Sequence, residues 1–301
     1  MPKFLITVIG PTAIGKTALG IELARHFSCE IISCDSRQFF KEMTIGTAVP
    51  SAEELDQVVH HFIHNKSIFE EYTVGDFEKE ALATLDKLYV DNDFVVMVGG
   101  SGLYADAVLK GLDDFPEINP EIRTTLTSKY NEVGISYLQE QLNALDPAYF
   151  SEVDQENPQR LMRALEVCIG TGRPFSSFRG QKTNQRNFTS IVIGLDADRE
   201  LIYDRINQRV DLMINAGLLA EAQKLYDHKE RNALQTVGYR ELFDYFDGKY
   251  PLDFAIQEIK KNTRRFAKRQ LTWFKRNEQA KWFGYTTNPQ HIISYIESII
   301  K

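Results

Sequence analysis

The chain has 301 residues, 43% hydrophobic and 26% charged, with a formal net charge of −7, the composition of a soluble globular protein with room for one large core and a smaller one. No run approaches the roughly 20 consecutive apolar residues that span a bilayer, and the N-terminus leads straight into a strand-like run rather than a secretion leader, so a cytoplasmic protein with no membrane partner is expected. Cys29, Cys34 and Cys168 are too few and too scattered for a disulfide framework or a C-x-x-C metal site, which leaves buried reduced thiols.

Phe4-Leu5-Ile6-Thr7-Val8-Ile9 reads as a buried strand and Ala18 to Ala24 as a helix, and between them stands Gly10-Pro11-Thr12-Ala13-Ile14-Gly15-Lys16-Thr17. This is G-x-x-x-x-G-K-T in the strand-to-helix setting of a phosphate-cradling loop. The glycines let several backbone N–H groups point into one concavity, and the helix N-terminus adds its dipole. Lys16 adds a full charge, and Thr17 offers a hydroxyl to a divalent ion. A polyphosphate is expected here. Which one, and whether it is cleaved at phosphorus, the loop does not say.

Glu30 to Ser33 reads as a short strand leading into Asp35. In a parallel sheet the carboxyl ends of the strands face one crevice, so Asp35 is either a general base or outer-shell metal ligand beside the phosphates, or the cap of the next segment. His60, His61 and His64 alternate with Phe62 and Ile63 and are better read as half-buried strand residues than as a metal cluster. Ser51 to Leu55 and Thr73 to Leu88 have helical patterns. The apolar run Phe94 to Val98 then ends in Gly99-Gly100-Ser101. An ATPase would carry a magnesium-holding Asp there. The glycines instead permit close approach of backbone to a ligand, with Ser101 as a hydrogen-bonding group.

After the turn-rich Asp113 to Pro120 the pattern is helical, over Glu121 to Asn131, Ser136 to Leu145 and Asn157 to Thr171, with Asp146-Pro147 as a separator. Asn157 is placed to cap and Pro158 to take the first helical position. Arg160 and Arg163 follow, against the helix dipole, so either an anion or planar group offsets them, which is expected, or this is a plain surface helix. A strand returns at Ser190 to Leu195, then a helix bearing Arg205 and Arg209 one turn apart, either a lid over phosphates or partners of nearby acids. Gln235 to Arg240 reads as a loop entering a helix. From Lys260 to Arg276 the chain carries eight basic residues and no acid, interleaved with Phe266, Leu271, Trp273 and Phe274. A helix there buries an apolar stripe and exposes a basic one, either a phosphate-backbone or pyrophosphate contact or a solvated face balanced by acids elsewhere, the first being favoured. Ile292 to Ile300 closes the chain as a helix.

These segments resemble a known family. G-P-T-A-I-G-K-T, I-I-S-C-D-S-R-Q with I-G-T-A-V-P, V-G-G-S-G-L-Y, N-P-Q-R-L-M-R-A-L-E-V, V-G-Y-R-E and A-K-R-Q-L-T-W-F are similar to the tRNA dimethylallyltransferase, or tRNA isopentenyltransferase, family of bacterial type, from the first strand to Trp273. The family commonly has Thr where this chain has Ser101, which keeps the hydroxyl. The resemblance implies an α/β fold, a P-loop NTPase-like parallel sheet flanked by helices, with residues 1–115 and 189–301 as core and 116–188 as an inserted all-helical tRNA-binding domain. It implies an enzyme that moves a dimethylallyl group from dimethylallyl diphosphate to the exocyclic amine of the adenosine 3′ of the anticodon, with Mg2+ as cofactor; a monomer is expected.

By resemblance Asp35 is the base, and the loop Gly10 to Thr17 with Lys16, Arg209 and a magnesium ion on Thr17 holds the leaving diphosphate. The implied tRNA contacts are Asp35, Ser36, Arg37, Gln38, Ser101, Arg123, Gln159, Arg160, Leu161, Met162, Arg163, Val237, Gly238, Tyr239 and Arg240. The competing readings are an adenylate isopentenyltransferase, which needs no tRNA-gripping insertion, a P-loop nucleotide kinase, and a nucleotide-gated RNA-binding module without chemistry.

Overall fold

The computed structural model describes residues 2–180 and 186–300, and the chain divides into two compact units, one of residues up to Leu109 together with those from Arg186, the other of Lys110–Gln185. In chain order the first unit opens with β1 (Phe4–Ile9), α1 (Lys16–His26), β2 (Ile31–Ser33), α2 (Ala52–Leu55), β3 (His60–His61), α3 (Val74–Asp91), β4 (Phe94–Val98) and α4 (Gly102–Lys110). The second unit holds α5 (Pro120–Val133), α6 (Ile135–Leu145), α7 (Pro147–Glu152) and α8 (Pro158–Thr171). The first then resumes with β5 (Thr189–Asp196), α9 (Arg199–Asn215), α10 (Leu218–Leu225), α11 (Tyr239–Phe246), α12 (Leu252–Phe274), β6 (Lys281–Gly284) and α13 (Pro289–Ile300).

The strands form one six-stranded sheet in the order β3-β2-β4-β1-β5-β6, parallel throughout. Every residue of β1 is buried, as expected of a strand covered on both faces by helices. Phe4, Ile6 and Val8 pack to one side with α1, α9 and α13, and Leu5 to the other with Val95, Met97, Phe77 and Leu85. A third cluster, with Tyr239, Leu242, Leu218 and Ile259, joins α10, α11 and the start of α12 to the stretch from Phe40 to Ile45. No described helix is long and apolar enough to cross a membrane.

In the second unit the helices enclose Leu126, Leu138, Leu142, Leu161 and Leu165. Asn157 caps α8 by accepting from the Arg160 N–H, and Pro158 occupies its first turn. The stretch Asp146-Pro147 is more than a separator. The Asp146 side chain caps the short α7 and also accepts from the Ser176 N–H at 2.7 Å, so a buried carboxylate ties three segments. The turn-rich stretch before α5 belongs to this unit because Phe115 stacks on Phe175, with ring centroids 4.8 Å apart. Arg186 is held to the first unit, donating to the carbonyls of Val108 at 2.9 Å and Ala107 at 2.6 Å and pairing with Glu78.

Candidate active site

The loop after β1 begins α1 through Gly15, whose φ of 106° is the left-handed conformation that glycine adopts without strain. Lys16 Nζ donates to the Pro11 carbonyl at 2.8 Å, so the ammonium is folded back over its own loop. Burial lowers the Lys16 pKa to about 8, the neighbouring Asp35 opposes the fall and Arg209 adds to it. Arg205 and Arg209 of α9 reach the loop: Arg205 Nε donates to the Ala13 carbonyl at 2.7 Å, and Arg209 lies 3.4 Å from the Thr12 hydroxyl. Arg205 is thus bonded to the loop backbone, with no acidic partner among the described residues. It props the loop from behind, where it also lies over the Tyr285 ring.

Asp35 follows β2, at the same sheet edge. Its Oδ1 accepts from the Arg37 N–H at 3.2 Å, as in an Asx turn. Burial raises its pKa above the ordinary carboxylate value, against the pull of the Arg37 N–H and of the Lys16, Arg37 and Arg209 charges. The adjacent Cys34 thiol is pushed up to about 12, chiefly by burial, and stays neutral. After β4, Gly100 has no room for a side chain: a Cβ there would meet Gln270 Nε2 at 2.5 Å and Asp35 Oδ2 at 3.2 Å. Ser101 Oγ accepts from the Ser36 N–H and lies 3.0 Å from the Ser36 hydroxyl, tying the ends of β2 and β4 together.

These strand ends open on a cavity of about 520 Å³, within the size range of small-molecule sites. Of the residues expected in the site, Thr12, Asp35, Ser36, Arg37, Ser101, Arg209, Val237, Gly238 and Arg240 line it. Beyond Arg209 its wall is apolar, with Ile206, Val210, Met213 and Leu218. Gly10, Pro11, Ala13 and Ile14 are buried. Two of the polar residues are already committed to the backbone: Arg37 donates to the carbonyls of Asn232 and Ala233, and Gln38 to those of Thr47 and Ala48. Tyr239 offers no side chain to a ligand. It is fully buried, and its hydroxyl donates to Glu221 at 2.6 Å.

In the second unit Leu161 and Met162 likewise point into the core. Arg123 and Arg163 both pair with Glu166, at 2.6 and 3.3 Å, and Arg123 also donates to Gln159 at 2.8 Å. Glu166, whose side chain is 6% exposed, supplies an anion to Arg163 of the two arginines near the start of α8, and to Arg123 of α5. The basic stretch of α12 is also partly neutralised: Lys260 pairs with Asp211, Lys261 with Glu258, and Lys275, just beyond the helix, with Asp196. Arg264 donates to Asn207 instead. Arg265 and Lys268 remain exposed, with no acidic partner among the described residues.

Three residues of the site escaped the sequence reading of individual side chains. Gln270 accepts from the Thr12 N–H and donates to the Gly100 carbonyl, both at 2.8 Å. Trp273 Nε1 donates to Asp106 at 2.8 Å, with its ring against Gly102. Glu221 accepts from the backbone of Thr44, Ile45 and Gly46 as well as from Tyr239. Gln270 and Trp273 lie in a segment that carries the resemblance, which was the available signal. A lone Glu on α10 gave none.

The family described as IPP transferase matches residues 38–277. A tRNA dimethylallyltransferase of Flavobacterium johnsoniae is 66% identical over 305 residues, 99% of each chain. Another, from Christiangramia forsetii, is 60% identical over 300 residues, covering 100% of this chain and 99% of that one. The crystal structure of the full-length tRNA isopentenylpyrophosphate transferase of Bacillus halodurans is 37% identical and aligns over 100% of this chain and 96% of its own with a TM-score of 0.71. A eukaryotic dimethylallyltransferase acting on tRNA, 24% identical, shares the fold with a TM-score of 0.82 over 99% of this chain and 79% of its own. With its sheet, its phosphate loop and relatives of this identity over nearly full length, the chain belongs to the IPP transferase family and is an enzyme of that family.

Proposed function

We propose that the enzyme transfers a dimethylallyl group from dimethylallyl diphosphate to the exocyclic amine of the adenosine immediately 3′ of the anticodon in tRNA, releasing diphosphate. The observation that carries this reading is the meeting of a phosphate loop and a base in one cavity. Thr12 of the loop and Asp35 line the same space, and the charges of Lys16, Asp35 and Arg209 act on one another.

The bond broken is between the allylic carbon and a diphosphate oxygen, which keeps the electron pair. No water-activating residue and no acid at the end of β4 are then required. Negative charge grows on the leaving diphosphate, where loop N–H groups, Lys16 and Arg209 would neutralise it, each well-placed donor contributing about 3–4 kcal/mol. The adenine amine forms the new bond to carbon and gives up its proton to Asp35. The raised pKa of Asp35 makes it a stronger base than an ordinary carboxylate, which suits it to accept that proton. Ile206, Val210, Met213 and Leu218 supply the apolar wall that a prenyl chain needs beside Arg209.

A magnesium ion would fit the start of α1. Thr17 stands immediately after the loop lysine, and its hydroxyl has no protein partner among the described residues. When bound, the ion would neutralise diphosphate charge.

An adenine in a stacked anticodon loop must be turned out to reach the cavity. In this reading the second unit holds the RNA through Arg123, Gln159, Arg160 and Arg163, with phosphates exchanging for Glu166, while Arg265 and Lys268 of α12 and the exposed Arg240 add contacts. The phosphate loop, Asp35 and Arg209 come from a single chain, so a monomer suffices for this chemistry.

Mass spectrometry of unmodified tRNA before and after incubation with enzyme, magnesium and dimethylallyl diphosphate tests the proposal. The expected product is tRNA heavier by one dimethylallyl group on that adenosine. Prenylation of AMP with tRNA left unchanged would overturn it.

A further inference from the structure

Gln270 occupies a position that the reaction as derived does not use. It projects from α12 and is 5% exposed, and both ends of its amide are engaged: Oε1 accepts from the Thr12 N–H and Nε2 donates to the Gly100 carbonyl, each at 2.8 Å. Thr12 is the second residue after the first loop glycine, and its N–H would otherwise be a free donor of the cradle. Gly100 is packed against Asp35, where a Cβ would lie 3.2 Å from Oδ2. One buried amide therefore spans the phosphate loop after β1 and the turn after β4 that backs the base. Neither contact is made by a neighbour in sequence, since 258 and 170 residues separate the partners. One turn further along α12, Trp273 is itself fixed by Asp106, so the amide is presented from a braced helix.

We infer that Gln270 is a positioning residue that holds the diphosphate cradle and the Asp35 base at a fixed separation. This rests on the prenyl-transfer reading and adds to it a determinant of in-line geometry. An amide suits the task because it can accept from one backbone and donate to the other simultaneously. An isosteric apolar side chain fills the space but leaves the Thr12 N–H and the Gly100 carbonyl without these partners. A misplacement of about 1 Å between reacting groups lowers rate by about a hundredfold, so the loss should fall on turnover as well as on diphosphate affinity.

Gln270→Met tests this, measured three ways: steady-state kcat and KM with tRNA and dimethylallyl diphosphate, affinity for inorganic pyrophosphate by calorimetry, and affinity for tRNA. The expected result is kcat lowered about 30- to 100-fold and pyrophosphate binding weakened about tenfold, with tRNA affinity within twofold of the parent. Gly100→Ala approaches from the other side, because its methyl group displaces the same amide, 2.5 Å from the ideal Cβ. The double variant should be no slower than the slower single variant, as for two changes that break one contact. Multiplicative losses would overturn the proposal, as would a Gln270→Met enzyme that melts earlier but keeps its kcat. Failure of the unaltered chain to bind pyrophosphate would overturn the diphosphate reading itself. Normal pyrophosphate binding with an unaffected Gln270→Met variant would remove only the role given to Gln270.

Discussion

Lys16 and Asp35 are displaced from their ordinary pKa values in opposite directions by the same cause, burial, and the sign of each shift fixes an expectation. The proposed reaction needs Asp35 ionised and Lys16 charged, so kcat/KM, which reports the free enzyme, should rise through an Asp35 pKa above the usual carboxylate range. It should fall again near the Lys16 value of about 8. A pH profile of kcat/KM with tRNA saturating checks both limbs. Lys16→Ala should lower the rate and erase the alkaline limb. The Asp35 shift also bears on stability. Its folded pKa exceeds its unfolded one, so the folded state binds more protons between the two values and stability declines as pH rises across that window. Asp35→Asn should therefore abolish transfer while raising the melting temperature at pH 8, and the gain should shrink as pH falls. An Asp35→Asn chain that melts lower at every pH would contradict this. The motif made Lys16 and Asp35 visible in the sequence. Their mutual perturbation was not visible, because it depends on how deeply β2 and the loop are sunk.

At the level of elements, strand–loop–helix at the N-terminus was legible because its apolar run, its glycines and its helical periodicity are all local. The same holds for α3, α5, α6 and α8, whose repeats span several turns. Of the short elements, β2 and α2 were legible as well, whereas α7 and β6 were not. α7 has 6 residues and β6 has 4, too few to establish a period, and β6 exists because β5 offers it an edge. Gln270 and Glu221 were illegible as individual residues for a related reason: one polar residue in a helix has no local signature when its partners lie far along the chain. The basic stretch of α12 is legible as a run of charge, but the charges differ in state, which the sequence does not show. Lys260 and Lys261 are paired with Asp211 and Glu258, while Arg265 and Lys268 are exposed without acidic partners among the described residues. Replacing Arg265 and Lys268 by Ala should weaken tRNA binding about tenfold and reduce its salt dependence by about two units of slope. Replacing Lys260 and Lys261 should change affinity less than twofold. Filter binding over a salt series distinguishes the pairs, and equal effects would mean that the ion pairs do not persist when RNA is bound.

For the molecule as a whole, each unit has its own core. Leu138, Leu142 and Leu165 are fully buried within the second unit, and none of them belongs to the clusters around the sheet. Leu165→Ala should cost about 2–5 kcal/mol of the stability of that unit. Hydrogen exchange should register the loss in α5, α6 and α8, leaving protection of β1 and β4 unchanged. Loss of protection in the sheet as well would mean that the units unfold as one.

Arg186 has a consequence at this scale. It grips the carbonyls of Ala107 and Val108 where the chain leaves the first unit, at the very residue where the chain comes back. Departure and return are thus stapled side by side, as at the neck of a drawstring bag, and whatever hangs from the neck can differ in size without disturbing the seam. A chain with the bag cut off and the neck closed by a few glycines and serines should still fold and still take up pyrophosphate, while losing its hold on RNA. In the proposed reaction the acceptor would then change with the bag, while the leaving-group chemistry stays with the seam.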